Sequence, residues 1–115
     1  MNWDELRAAC LALPGTEETF AFGPGVSVFK AANGKMYAVS VTATEPLDIS
    51  LKCDPDQAVA LRQTYAGITE GYHLNKRHWI TATLNSDVPD ALIQTLIEES
   101  HRLVTTHPSH RRIPA

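Results

Sequence analysis

Apolar residues recur along this chain at two spacings. Trp3, Leu6, Cys10 and Leu13 follow one another at three- and four-residue intervals, the spacing of one helical face, and Asn2 and Glu5 are placed to cap the first turn reciprocally. Pro14-Gly15 ends that helix. Thr16 to Gly25 is turn-rich, with Phe20 and Phe22 two apart, and reads as a long connection without regular structure whose aromatics pin it to the core. Val26 to Ala31 and Met36 to Thr42 are β-rich runs joined by Ala32-Asn33-Gly34-Lys35, a hairpin signal because Asn and Gly both tolerate positive φ. Leu47 to Lys52 alternates apolar and polar, the pattern of a strand with one buried and one wet face; Asp48, Ser50 and Lys52 then point outward.

A second helix follows Asp54 as its cap and Pro55 at its first position, with Ala58, Leu61 and Tyr65 on one face and a stop near Ala66-Gly67. Gly71 to Arg77 leads into a fourth strand, His78 to Leu84. Its parity places Ile80, Ala82 and Leu84 on one side and Trp79, Thr81 and Thr83 on the other, so an aliphatic core leaves Trp79 on the wet side. Asp87 is placed to cap a third helix, whose apolar stripe runs through Leu92, Ile93, Leu96, Ile97, Leu103 and Val104. The order α-β-β-β-α-β-α, with a tight hairpin beside a wet-faced sheet, describes an α+β domain: an antiparallel sheet with helices packed on one face. Residues 1–105 form that single domain, and 106–115, with two prolines and no periodicity, form a flexible tail.

Composition narrows the function classes. A chain of 115 residues holds one core and needs no metal or disulfide staple. With a net charge of -3, it is not a uniformly basic nucleic-acid binder, and any polyanion site must be local. Cys10 and Cys53 lie far apart and outside any Cys-x-x-Cys pattern, which predicts reduced thiols. No basic leader with an apolar run, and no apolar stretch long enough to span a bilayer, is present, so the expected location is the cytoplasm, and the expected state is a monomer.

One stretch reverses the sign of the chain. Gly71-Tyr72-His73-Leu74-Asn75-Lys76-Arg77-His78-Trp79 carries two cations, two imidazoles, an amide and two polar-tipped aromatics without an acid. Lys76 and Arg77 can meet phosphates while Tyr72 and Trp79 stack on bases, with His73 and Asn75 as further polar contacts. Lys52 lies on the neighbouring wet face, and Lys30 and Lys35 extend the contact from the hairpin. The plainer reading makes Lys76 and Arg77 a solvated loop pair, Tyr72 a core residue and Trp79 the cover of a sheet edge. The two part on one observation. A shared open face for Lys52, Lys76, Arg77 and Trp79 favours binding, whereas a buried Trp79 with cations paired to Asp48, Glu70 or Asp54 favours the plainer account.

Several blocks together resemble a known family. Leu13-Pro14-Gly15, Phe20-x-Phe22-Gly23, Val28-Phe29-Lys30, Gly34-Lys35-Met36-Tyr37-Ala38, Leu51-Lys52-Cys53-Asp54-Pro55, the Gly71 to Trp79 stretch and Val88-Pro89 are similar to the MmcQ/YjbR family of small bacterial proteins. The resemblance covers nearly the whole chain up to about Val104. It implies a fold of the type seen in the frataxin homologue CyaY, and a DNA-binding role with a double-wing arrangement. Frataxin-like iron binding does not transfer, because Asp4, Glu5, Glu17 and Glu18 are too few and too scattered to form an acidic row.

Other chemistries are weaker. His73 and His78 fit no common metal spacing and have no adjacent carboxylate or thiolate; parity turns His78 the way of Ile80, as a half-buried imidazole bonded to backbone. No metal or cofactor is expected. A nucleophilic site would need Cys53 or Ser50 near His73 or His78 and an orienting Asp48 or Asp54, with Lys52 lowering the thiol pKa, but Asp54 and Cys53 have simpler roles as cap and core filler, and no enzyme is expected. Phe22-Gly23-Pro24-Gly25 precedes a strand and is a turn, not a phosphate loop. Arg111 and Arg112 offer a basic tail. The alternative to DNA is a protein or small-molecule adaptor using the same sheet face, with Trp79 as anchor.

Overall fold

The computed structural model describes residues 1–42, 45–71 and 74–106. Helix α1 (Trp3–Leu11) starts at the expected capping box: Asn2 Oδ1 accepts from the Glu5 amide and Glu5 Oε1 from the Asn2 amide, both at 2.9 Å. Leu6 and Cys10 face the core, and the Trp3 ring tilts against Phe29. The connection that follows is not free of regular structure. Strand β1 (Glu17–Thr19) lies in it, and Phe20 and Phe22, at 57% and 61% exposed, do not pin it to the core.

β2 (Val26–Lys30) and β3 (Met36–Val41) form the expected hairpin. Its turn departs in one detail: only Gly34 adopts positive φ, and the Gly34 amide donates to the Ala31 carbonyl. β4 (Asp48–Lys52) leads into α2 (Pro55–Thr64), capped by Asp54 with Pro55 first in the helix. β5 (Ile68–Glu70) was not legible in the apolar pattern; β6 (Trp79–Thr83) and α3 (Asp90–Thr105) were. Asp87 does not cap α3, whose N-cap position is held by Pro89 without a side-chain hydrogen bond. Its carboxylate instead accepts from the amides of Ala66 and Gly67, at 2.7 and 2.8 Å, and so holds the entry to β5.

Among the described residues six strands form one antiparallel sheet in the order β1-β2-β3-β4-β6-β5, and with three helices the fold is α+β. Register fixes its two faces. Phe29, Ala38, Leu51 and Ile80 stand abreast across four strands, with Ile49, Ala82 and Ile68 in the next row. All are buried with Leu6, Cys10, Ala58, Leu61, Ile93, Leu96, Ile97 and Val104 in a single core between sheet and helices.

The β2–β3 register slips at the end of the hairpin: Phe29 faces Ala38 but Lys30 faces Met36, leaving Tyr37 as the extra residue of a bulge. Its hydroxyl donates to the Cys10 carbonyl and shares a hydrogen bond with Thr16. The paired positions of β3 and β4 stop at Ala38–Leu51. Ser100, fully buried on α3, takes up the next position: its hydroxyl donates to the Tyr37 carbonyl at 2.6 Å and accepts from the Lys52 amide at 2.8 Å. A helix side chain thus stitches two strands where the bulge has parted them.

Candidate nucleic-acid interface and the free face of the sheet

The antiparallel order has a consequence for charge. β2 and β4 end, and β3 and β6 begin, at the same edge of the sheet. All four lysines of the chain fall there: Lys30 and Lys52 at the ends of β2 and β4, Lys35 in the hairpin turn, and Lys76 in the loop before β6, with Arg77 beside it. The turns 31–35 and 74–78 therefore lie to either side of Lys52. Carboxylates share this edge, since Glu17 stands across from Lys30 and Glu70 ends β5. Among the described residues, one cation of the five is paired: Lys76 Nζ lies 3.8 Å from Glu70, with both side chains more than half exposed, an arrangement of small energetic worth.

Trp79 is not on a wet face. Parity does turn it away from the helices, and it stays outside the core cluster, but it is only 8% exposed. The chain presses on it at Gly71, where a β-carbon would come within 2.5 Å of Trp79 Cβ and where the amide donates to the Trp79 carbonyl. Stacking on a base by this indole, or its use as a protein anchor, is therefore overturned; Trp79 and the Lys76–Glu70 pair go to the plainer account, while Lys30, Lys35, Lys52 and Arg77 form no ion pair among the described residues. Ser50 and Thr81 are also buried and share a hydrogen bond at 2.9 Å, so the middle of the face read as wet is shielded from water. His78 reverses the other way: it is exposed, because it sits in a turn ahead of β6 where strand parity does not apply, and its backbone carbonyl accepts from the Cys53 amide. Asn75 is committed to the turn, its side-chain oxygen accepting from the Arg77 amide at 2.9 Å. Tyr72 and His73, like the tail that carries Arg111 and Arg112, lie outside the described residues.

The Cys53 thiol is not activated by Lys52. Burial, then the charges of Asp54 and Glu99, push its pKa up to about 11, and Cys10 is pushed up to about 12 by burial and Glu18. Both cysteines are free and buried. Among the described residues no three His, Cys, Asp or Glu side chains gather as a metal site, and no helix is long and apolar enough to cross a membrane.

The free face also holds a feature that sequence reading missed. A cavity of about 780 Å³ is lined by Phe22, Val26, Val39, Val41 and Leu74 together with Asp48, Ser50, Thr69, Glu70 and Thr81. Its signal in the sequence was the valines at outward positions of β2 and β3, where a wet face would carry polar residues.

The YjbR family model matches residues 11–103, which contain every strand and most of α3. The chain belongs to the YjbR family. Among relatives of this YjbR-family chain, protein YbdF of Escherichia coli O157:H7 is 38% identical over 98 residues, covering 85% of this chain and 80% of the relative. Protein YjbR of Escherichia coli K12 is 31% identical over 113 residues, covering 97% and 95%. The crystal structure of Deinococcus radiodurans protein DR2400 matches the fold with a TM-score of 0.87 at 40% identity, over 96% of this chain and 86% of that one. A Pseudomonas syringae protein matches at a TM-score of 0.76 and 30% identity, over 90% and 98%.

Proposed function

We propose that this YjbR-family protein is a cytoplasmic DNA-binding protein that grips the phosphate backbone with the lysine-bearing edge of its sheet. The observation that carries the reading is the gathering of Lys30, Lys35, Lys52, Lys76 and Arg77 at one edge of a molecule with a net charge of -3. With Trp79 enclosed and Asn75 tied into its turn, the contact is electrostatic and tolerant of sequence. In this reading the chain carries out no reaction, which suits thiols held neutral by burial.

Affinity at physiological salt then falls in the range of roughly 10⁻⁴ to 10⁻⁶ M for this kind of contact. Five phosphate contacts give a slope of log K against log salt of about -4.5, or roughly a 500-fold loss between 50 and 200 mM salt. Fluorescence anisotropy of labelled single- and double-stranded oligonucleotides at those two salt levels is the test. Lys52→Ala and Arg77→Ala should each reduce the slope by about one. Glu70→Gln, which frees Lys76, should tighten binding. Absence of salt-sensitive binding at tens of micromolar protein rejects the proposal.

A further inference from the structure

The cavity on the free face lies apart from the lysine edge in chemistry, and its lining is one-sided. Phe22, Val26, Val39, Val41 and Leu74 supply an apolar body, and among the described residues the lining includes two acidic residues, Asp48 and Glu70, and no cationic one. Register turns Asp48 toward this face and Glu70, opposite Ile80, toward the other. The two acids stand at different corners: Asp48 is paired across β6 with Thr83, three positions along from the Ile80–Glu70 pair. Strand spacings put their backbones roughly 13 Å apart. They also differ in state. Glu70 is exposed and paired with Lys76, whereas Asp48 is half-buried and, among the described residues, its carboxylate has no hydrogen-bond donor and no cation within reach. The Ser40 hydroxyl, the side-chain donor that reaches Asp48 among the described residues, donates to its backbone carbonyl and leaves the carboxylate free of it.

We propose that this cavity is a binding site for a small organic cation with an apolar body, an aliphatic or aryl-alkyl amine whose ammonium group pairs with Asp48 while its hydrocarbon lies on Val39, Val41 and Phe22. The size fits, since small-molecule sites span about 300–1,000 Å³ and are mostly apolar with a few placed polar groups. The charge fits as well. Burial raises the Asp48 pKa, so its anion lacks compensation that an ammonium would supply. Exposure of Phe22 at 61% and Val41 at 39% on the rim leaves apolar surface for the ligand to cover.

The proposal does not depend on DNA binding, and its probes do not touch the lysines. Octylammonium, octanoate, octan-1-ol and methylammonium are titrated into the full ¹⁵N-labelled chain below their aggregation limits, and amide shifts are followed. Octylammonium should bind at least tenfold more tightly than each of the others, with shifts centred on residues 26, 39, 41, 48 and 81. Asp48→Asn should weaken octylammonium about tenfold and leave octanol unchanged. Val41→Trp, at a rim position where the fold has room, should block both. Equal affinity for octanoate and octylammonium, an unaltered affinity in Asp48→Asn, or shifts lying elsewhere would overturn the assignment. So would shifts at the cavity that depend on protein concentration and ignore every probe, which would mark the face as a contact between two copies of the chain.

Discussion

Replacing Ser100 with alanine tests the stitch between β3 and β4. The hydroxyl satisfies two buried backbone groups at once, the Tyr37 carbonyl and the Lys52 amide, which the bulge has drawn out of direct pairing. Removal leaves a donor and an acceptor facing a gap one oxygen wide, in a position with no exposure to solvent. Each unsatisfied buried group costs about 1–3 kcal/mol, and partial relaxation of the strands toward each other brings the pair to roughly 2–4 kcal/mol. At about 4 °C per kcal/mol for a domain of this size, the thermal midpoint should fall by roughly 8–16 °C. Urea unfolding followed by tryptophan fluorescence gives the free energy, with an unchanged m-value showing that the unfolded state is the same. Thr95→Ala is the control. It removes an exposed hydroxyl from the same helix and should stay within about 0.5 kcal/mol. A Ser100→Ala loss no larger than that of the control would show that the strands pair directly and that the bridge carries no energy.

Two further outcomes follow from the same fold. Asp87→Ala should remove the acceptor for Ala66 and Gly67, costing about 1–2 kcal/mol and stripping hydrogen-exchange protection from those two amides while Leu51 keeps its own; unchanged protection would assign the entry to β5 to another contact. Cys10 and Cys53 should resist thiol reagents at about pH 8 in the folded chain and react rapidly in urea. Their pKa values are raised in the fold from the ordinary 9.0, so the stability they contribute is present below about pH 9 and is lost as pH rises toward 11 and 12; thermal midpoints that hold steady across that alkaline window would contradict it.

The long elements were legible because each shows several periods of its pattern. The α3 stripe returns every turn from Ile93 to Val104, and Leu47 to Lys52 alternates without error. β1 and β5 were not, since three residues display neither periodicity, and each exists through a distant partner: β1 through β2, and β5 through β6 and the Asp87 carboxylate. Parity assigned Trp79 to the correct side of the sheet and misjudged its exposure, because what encloses it is a return of the chain at Gly71 that leaves no alternation in the sequence. The run from Gly71 to Trp79 drew attention to Lys76 and Arg77. Lys30, Lys35 and Lys52 were expected beside them from the hairpin and the neighbouring strand, but the common edge that gathers all five is a product of strand order and direction, which no single segment displays. The cavity was hidden for a related reason: Phe22, Val39, Leu74 and Asp48 belong to four separate segments and meet only across the folded sheet.

The brevity of β1 and β5 bears on how copies of this molecule behave when crowded together. They are the two margins of the sheet, each three residues long, and each carries an exposed glutamate: Glu17 on one side, Glu70 on the other. A strand from another chain arriving at either margin meets too little unpaired backbone to build a ladder, and meets negative charge as it does so. Runaway strand-on-strand stacking is thereby starved at its first step, although the interior strands between those margins are rich in the valine and isoleucine that such stacks favour.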